Sequence, residues 1–564
     1  MILTDDSIQA FKVQLQQSII VCSERGLFYA SKWAAEVLNG IKDDFLDDKV
    51  PFTQNEVHIP TISTYHTDYE SSLPPLSERD YNLYQYAKTL FNIRHFHSVM
   101  DVLGQSKHPK LYFLRLYAKY LAGEKRKEEF SQDVLGATEQ ARADNAELES
   151  IYRELHEDYE HGRLDAFGLY LYGIVLKKRQ LAFRAAAILL ESIRKYQYNW
   201  SAWVELATLV QTKKMFMDLK ALLNREFETS VMKEFFLAKL CIDLNQPGNF
   251  FKDIMDPLDQ YFSRSAYVLS QWATFYYDSM DYNESLVLFE ELRNSYPSRL
   301  DDMDVFSNLL YLQNLKHKLC ALALECEKID KYRPETCCVR GNYCVLKHET
   351  AESVEYFKRA IKLNRSYHLA WTLLGHSYFE LQDLSAAIEC YRRAVEVNNR
   401  DYRSWFGLGQ VYEVMKYPYD ALYYYHKATN LRPRDSRMWA ALSGCYEVLK
   451  RHDEALNYKH RAEACDRLKD RSEMVQIAEI FKRRGRLDIA IDFYHKIWQR
   501  SIQENAIDEV TADISIQLAR YAMSKNQLYD AEQYAITSLN MSHPYHEQAR
   551  DILDEIGRLS KASV

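Results

Sequence analysis

Apolar residues recur through the second half of the chain at spacings of three and four, the period of an α-helix that packs on one side. One such run is followed, after a short polar break, by another, and the pair of runs returns 34 residues later. The clearest unit contains Trp371, Leu374, Gly375, Tyr378, Ala387, Tyr391 and Ala394. The pattern predicts two antiparallel helices in each unit.

The next two units repeat this pattern with one departure. The second unit contains Trp405, Leu408, Gly409, Tyr412, Ala421, Tyr425, Ala428 and Pro433. The third unit contains Trp439, Leu442, Ser443, Tyr446, Ala455 and Ala462. Lys459 stands in the third unit where an aromatic residue is expected, so we predict less ideal packing there. The same frame extends back to Trp272, and looser units on both sides bring repeats to most of the chain.

A 34-residue unit with these residues in these slots is the signature of the tetratricopeptide repeat. We therefore predict an all-α fold, a tetratricopeptide-repeat superhelical solenoid of antiparallel helix pairs. Glycine in the first helix would let the two helices approach closely, while the aromatic and alanine slots would fill the space between them. The residues expected to pack the repeats are Trp371, Gly375, Tyr378, Ala387, Trp405, Gly409, Tyr412, Ala421, Pro433 and Trp439.

The length of the chain also favours repeats, since 564 residues are too many for one compact core. We predict an N-terminal repeat half at 1–265, a C-terminal repeat half at 266–540 and a C-terminal helix or tail at 541–564. The stretch from about 43 to 80 carries four of the 12 prolines together with acidic pairs and Ser/Thr residues. This composition predicts a mobile loop within the N-terminal half.

Charge and motifs exclude several classes of function. A net charge of −8 argues against a nucleic acid as the main partner, because phosphate binding needs clustered Lys and Arg. The sequence begins without a signal-peptide pattern and has no run of about 18 apolar residues. We therefore expect a soluble intracellular protein without a membrane partner, located in nucleus and cytoplasm.

No motif for chemistry is found in the sequence. The ten cysteines include no CxxC pair, so we expect buried, reduced thiols and neither a metal nor a cofactor. Phosphate-binding loops, dinucleotide fingerprints and nucleophile elbows are likewise missing from it. We predict that the protein is not an enzyme.

The register of the repeats indicates which residues face the inner surface of the predicted solenoid. The inner stripe of successive first helices contains Asp304, Asn308, Tyr311, Asn342, His376, Gln410, Glu413 and Glu447. An Asn amide can bond both the C=O and the N–H of an extended peptide, and carboxylates select Arg or Lys side chains. The stripe predicts a groove for a basic and apolar peptide. The alternative is that these polar groups only solvate an inner surface or pack on the chain's own superhelix.

Several stretches carry a more specific resemblance. They are SERGLFYASKWAAEVLNG at 23–40, NWSAWVEL at 199–206, IDKYRPETCCVRGNYCVLK at 329–347, AWTLLGHSYFE at 370–380, NRDYRSWFGLGQVYE at 399–413 and LYYYHKATNLRPRDSRM at 422–438. These stretches resemble the family of eighth subunits of the anaphase-promoting complex, the ubiquitin ligase that drives mitotic exit. The resemblance implies a non-catalytic scaffold that stacks with other repeat subunits of that complex.

The resemblance also implies two binding surfaces. In the family the N-terminal repeats form a homodimer, and the C-terminal repeats receive the C-box peptide of the coactivator, which contains arginine. This implies groove roles for Asn342, Asn308, Glu380 and Glu413; the repeat register places all of these but Glu380 on the inner stripe. Two alternatives stay open: a repeat scaffold of another assembly, such as a co-chaperone or an RNA-processing complex, and an enzyme of unrecognised type.

Overall fold

The computed structural model is helical, and no strand occurs in the part of the chain that it describes. Described are residues 5–42, 69, 72–104, 106–130, 145–245, 248–462, 465, 475, 478, 487–503, 508–525, 527–539 and 545–562. Most of the predicted mobile loop at about 43–80 therefore lies outside the described residues.

The helices follow one another with short connections. In the first half they are α1 Asp5–Glu24, α2 Phe28–Asn39, α3 Glu78–Asn92, α4 Phe96–Leu103, α5 Pro109–Phe130, α6 Leu148–Glu160, α7 Ala166–Lys178, α8 Ala182–Lys195, α9 Trp200–Leu209, α10 Lys213–Glu226, α11 Val231–Asp243, α12 Gly248–Phe262 and α13 Ala266–Asp278. In the second half they are α14 Tyr282–Ser295, α15 Met303–Leu312, α16 Lys316–Asp330, α17 Pro334–Leu346, α18 Thr350–Leu363, α19 His368–Glu380, α20 Leu384–Val397, α21 Tyr402–Val414, α22 Pro418–Leu431, α23 Ser436–Val448, α24 Leu487–Gln503, α25 Glu509–Ser524, α26 Leu528–Ser538 and α27 Tyr545–Ala562.

The chain forms two compact units, residues 1–416 and residues 417–564. In the first unit, consecutive helices from α7 to α20 pack as pairs, with an odd-numbered helix followed by its even-numbered partner. The predicted fold class, tetratricopeptide-repeat helix pairs, is confirmed. The predicted division of roles between 1–265, 266–540 and 541–564 stays a prediction.

The turns inside successive pairs share one backbone conformation. Each contains a residue with φ between 54° and 67°, and these residues are Met280, Asn314, His348, Gln382, Lys416 and Lys450, spaced by 34. The N–H that follows bonds the carbonyl five residues earlier, as Asp383 does to Tyr378 at 3.0 Å. This arrangement ends a helix and is usually built with glycine, which adopts a positive φ without strain. None of the six positions has glycine.

The tryptophan slot ties each pair to the turn before it. The indole N–H of Trp371 donates to the carbonyl of Arg365 at 2.9 Å, and Trp405 donates to Asn399 at 2.9 Å. In the second unit Trp439 donates to the carbonyl of Pro433 at 2.8 Å. Because each acceptor lies six residues before its donor, the tryptophan fixes the inter-repeat turn while its ring packs between helices.

The glycine slot marks a close approach of two helices. A Cβ atom placed on Gly375 of α19 would lie 2.6 Å from Cε1 of Tyr391 on α20. Tyr391 and Ala387 are fully or almost fully buried there. Gly409 is buried in α21, as Ala421 is in α22 of the second unit. The small residue therefore makes room for the aromatic ring of the partner helix, as the repeat pattern predicts.

The tyrosine slot pairs with a base from the preceding helix. The Lys358 ammonium lies 6.0 Å from the ring centroid of Tyr378, and an Arg392 guanidinium N–H donates to the Tyr412 hydroxyl at 3.0 Å. Both pairs join the second helix of one repeat to the first helix of the next. They add polar links between repeats that the apolar pattern alone does not reveal.

The N-terminal hairpin of α1 and α2 packs on the first helices of later repeats. Trp33 of α2 contacts Trp200 of α9, Phe235 of α11 and Tyr267 of α13. The hairpin's ion pairs reach the turn before α15, where Lys32 binds Asp301. The chain thus covers part of its own repeat surface before the predicted groove begins.

The second unit keeps the repeat packing with a substituted aromatic contact. Tyr458 stacks on Trp439 at 5.8 Å and on Tyr446 at 5.2 Å between ring centroids. Lys459, the residue in the aromatic slot, is exposed. The aromatic contact that the pattern leaves unfilled at Lys459 is therefore made by its neighbour.

Candidate partner-binding groove

The predicted inner stripe of α15 and α17 forms a hydrogen-bonded floor. The Asn342 amide donates to the Asn308 side-chain oxygen at 2.7 Å and to the Ser307 hydroxyl at 2.8 Å. Asn342 is 2% exposed and Asn308 is 7% exposed. Since an amide has two N–H donors, both donors of Asn342 are used inside the chain. The stacked pair thus differs from the ladder of accessible asparagines that the sequence predicts, and it joins two repeats.

Asp304 lies one helical turn before Asn308 and is also part of this floor. Its carboxylate accepts a hydrogen bond from the hydroxyl of Tyr367, which directly precedes α19. Burial raises the pKa of Asp304 to about 6, although the hydrogen bond from Tyr367 opposes the shift. Asp304 is only 7% exposed, so it supports the floor more than it offers a charge to a ligand.

Tyr311 and Glu380 are the more accessible members of the stripe beside this floor. Tyr311 is half-buried at the end of α15, and Glu380 is exposed at the end of α19. Burial first and the Glu380 carboxylate second raise the pKa of Tyr311, so the two side chains interact across the stripe. The carboxylate also accepts a hydrogen bond from Thr350 at 3.4 Å. These two residues present an aromatic ring and a negative charge together.

His376 occupies the middle of α19 and is neutral. Its Nδ1 atom lies 2.7 Å from the Tyr391 hydroxyl, with which it shares a hydrogen bond. Burial lowers the pKa of His376 to about 4, and Arg403 lowers it further while Asp401 opposes the shift. At neutral pH this side chain offers the stripe a polar but uncharged group.

The inner arginine of the next repeat is paired with the cap of its own helix. Arg403 donates through Nε to the Asp401 carboxylate at 2.9 Å, and Asp401 also accepts from the backbone N–H of Arg403 at 3.1 Å. Farther along α21, Gln410 is half-buried and Glu413 is exposed. With Arg403 neutralised locally, the accessible carboxylates Glu380 and Glu413 leave this part of the stripe negative.

The second unit repeats this cap. Asp435 accepts from Arg437 Nη2 at 2.7 Å and from its Nε at 3.0 Å. Glu447, the predicted groove residue of this unit, is exposed on α23. Its predicted role is independent of the floor described above, because it lies in the other compact unit.

Tyr367 is the residue of this region that the sequence pattern does not predict. The positions 34 residues before and after it hold Arg333 and Asp401, so no periodic signal marks it. Its contact is made 63 residues away along the chain, across one intervening repeat. Only the three-dimensional arrangement reveals it.

One group of side chains has metal-ligand spacing among the described residues. Cys344, Glu349 and Glu352 bring one ligand atom each within 4.8 Å of one another. Both acids are exposed, and burial raises the pKa of the Cys344 thiol to about 11, which disfavours the thiolate that a metal needs. This geometry does not build a metal site.

No described helix combines the length and the apolar character that crossing a bilayer requires. All ten cysteines are free thiols, and eight of them are buried. These observations leave the polar stripe on the first helices as the candidate site. A repeat protein with such a stripe belongs to the class that binds extended segments of other proteins.

Comparison with known proteins identifies the family. The family model described as anaphase promoting complex subunit 8 / Cdc23 matches residues 10–273, and a model described as TPR repeat matches 375–415. Anaphase-promoting complex subunit 8 of Arabidopsis thaliana is 37% identical, covering 66% of this chain and 66% of that relative. The subunit 8 of Dictyostelium discoideum is 35% identical, covering 67% of this chain and 69% of the relative. The chain belongs to the anaphase-promoting complex subunit 8/Cdc23 family.

Two further similarities add detail without changing that assignment. The Homo sapiens cell division cycle protein 23 homolog is 38% identical over 56% of this chain and 49% of its own length. This chain thus spans between about half and two thirds of the length of these relatives. A crystal structure of the APC/C hetero-tetramer Cut9-Hcn1 superposes with a TM-score of 0.48 at 17% identity, covering 85% of this chain and 96% of that one.

Proposed function

We propose that this chain is a non-catalytic scaffold subunit of the anaphase-promoting complex that binds the coactivator's C-box peptide in the stripe formed by α15, α17, α19 and α21. The observation that carries this proposal is the negative, partly open end of the stripe at Tyr311, Glu380 and Glu413 in a chain of this family. A carboxylate and an aromatic ring together suit an arginine side chain, through ion pairing and stacking. Family membership favours this assembly over a co-chaperone or an RNA-processing complex.

The peptide proposal is tested with the purified full chain and a labelled C-box peptide. Fluorescence anisotropy would compare wild type with the double variant Glu380→Gln, Glu413→Gln, which removes two charges and keeps both shapes. The matched control is Glu355→Gln, because Glu355 is an exposed acid on α18 with a side chain 74% exposed. We expect about 10-fold weaker binding for the double variant only. Equal binding by all three proteins would refute the groove assignment.

The scaffold proposal is tested by affinity purification of the tagged chain from dividing cells. We expect cullin-like, RING and other repeat subunits to co-purify with wild type and with the Glu380→Gln, Glu413→Gln variant alike. The coactivator should be depleted only from the variant. Recovery of wild type without any ligase subunit would overturn the scaffold proposal. Imaging of the same tagged chain through mitosis would test the expected presence in nucleus and cytoplasm.

A homodimer through the N-terminal region is the second part of the proposal. Exposed aromatic side chains on α2 support it, since Tyr29 is 87% exposed and Phe28 is 50% exposed. We expect analytical ultracentrifugation to give twice the chain mass for wild type and the chain mass for Tyr29→Glu. Phe183→Glu is the matched control, because Phe183 on α8 is also 87% exposed. Dissociation by the Phe183 variant alone would move the interface to another face.

A further inference from the structure

Tyr367 links two repeats that are not neighbours in the chain. Its hydroxyl donates to the Asp304 carboxylate, so the residue before α19 is bonded to the first turn of α15. The helix α17 lies between these two in sequence. A single side chain therefore fixes the spacing of α15 and α19 across the intervening repeat.

The tyrosine ring forms part of the floor over α17. It packs against the apolar cluster that contains Cys338 and Trp371. Burial first and the Asp304 carboxylate second raise the pKa of the Cys338 thiol, which places Asp304 beside this residue of α17. Tyr367 is therefore held on one side by apolar packing and at its hydroxyl by Asp304.

A second polar link runs parallel to the first, one helical turn away. Asn342 of α17 donates to Asn308 of α15, and Asn308 lies four residues after Asp304. Both inner positions of α15 are thus tied to later repeats. The end of the same helix carries Tyr311, which interacts with Glu380 of α19. Movement of α15 against α19 would change the separation of these two side chains.

We propose that Tyr367 is a positioning residue of the partner-binding groove, whose hydrogen bond to Asp304 sets the spacing between Tyr311 and Glu380 that accepts an arginine-containing peptide. This inference rests on the proposed function of the stripe. Tyr367 itself does not contact the peptide, because it is covered by the floor. Its effect is transmitted through the position of α15.

The charged and titratable groups around Asp304 give this contact a pH dependence. They are Tyr367 before α19, Asp302 beside the start of α15, and Glu335 and Cys338 on α17. An ionised carboxylate accepts a stronger hydrogen bond than a protonated one. Lowering the pH from 7.5 to 5.5 protonates Asp304, weakens its bond to Tyr367 and should loosen the groove.

The test compares full-length wild type with Tyr367→Phe and Asp304→Asn. We expect Tyr367→Phe to bind the C-box peptide about 5–10-fold more weakly at pH 7.5. The amide oxygen of Asp304→Asn still accepts the hydrogen bond, so this variant should bind within about 2-fold of wild type and lose the pH dependence. Tyr332→Phe is the control, because Tyr332 is 61% exposed in the preceding inter-repeat turn.

Hydrogen exchange of the α15 amides gives a readout that needs no peptide. We expect faster exchange in Tyr367→Phe and wild-type exchange in Tyr332→Phe. Unchanged peptide binding by Tyr367→Phe would overturn the positioning role, as would a loss of binding explained entirely by a lower melting temperature. If wild type binds no peptide, the proposed function fails, and the exchange of α15 alone then decides whether Tyr367 fixes this helix.

Discussion

The indole rings of Trp33 and Trp200 stack face to face, with centroids 4.0 Å apart and planes 9° from parallel. Trp33 belongs to the N-terminal hairpin and Trp200 begins α9, so the contact joins the start of the chain to its repeats. Phe235 and Tyr267 approach the Trp33 ring edge-on at 5.5 and 5.8 Å. Four aromatic rings from four helices thus hold the hairpin.

We predict that Trp33→Ala releases this hairpin. Removing a large buried aromatic side chain costs about 3–5 kcal/mol, and Trp33 is 5% exposed. Limited proteolysis should cut between α1 and α2 much faster in the variant than in wild type. The control is Tyr29→Ala, four residues earlier on the same helix and 87% exposed, which should leave the digestion rate unchanged.

Glycine at a left-handed turn position should stabilise the chain. Met280 has φ 67°, a conformation that a side chain disfavours and glycine adopts freely. Met280→Gly is expected to raise the free energy of unfolding by about 1 kcal/mol, visible as a higher urea midpoint. Asn314→Gly, at the equivalent turn with φ 54°, should change little because asparagine tolerates this conformation. Equal gains at both sites would contradict the strain argument.

A methyl group at Gly375 should destabilise its repeat. The new Cβ would lie 2.6 Å from Tyr391 Cε1, so the two helices must separate or the ring must move. We expect Gly375→Ala to cost about 1–3 kcal/mol, measured by denaturant unfolding. Gly444→Ala is the matched control, since a Cβ added there would meet no neighbouring atom within 4 Å. Helix propensity favours alanine at this position, so the control should be neutral or stabilising.

Stability should fall in acid partly through His376. Its folded-state pKa of about 4 lies below the usual value of 6.5, so the unfolded chain binds the proton more tightly. The stabilising contribution is complete above about pH 6.5 and is lost as the pH falls towards 4. Urea midpoints between pH 7 and 4.5 should therefore drop less steeply in His376→Gln than in wild type. A parallel drop in both proteins would contradict the assignment.

The sequence predicts the backbone of this fold better than its polar contacts. The 34-residue frame places Trp371, Gly375 and Ala387 in the packing positions that they occupy, because repeat packing depends on neighbours at fixed chain distances. Repetition even extends to the turn residues with positive φ, although their side chains share no identity.

The contacts of the candidate groove depend on separations that no local pattern encodes. The register places Asn308 and Asn342 on one face, yet it cannot show that they bond each other and leave no Asn342 donor for a ligand. The Asp304–Tyr367 bond and the docking of Trp33 on Trp200 are equally hidden, because each joins chain segments far apart in sequence. Partner choice among side chains is decided by the assembled repeats.

The docked hairpin has a consequence for synthesis. Lys32 emerges from the ribosome 269 residues before Asp301, to which it binds in the finished chain. At about 5–20 residues per second, the apolar side of the hairpin waits roughly 15–50 s for its last binding surface. During that interval the nascent chain exposes Trp33 and its neighbours, so this protein depends on chaperones at its beginning more than at its end.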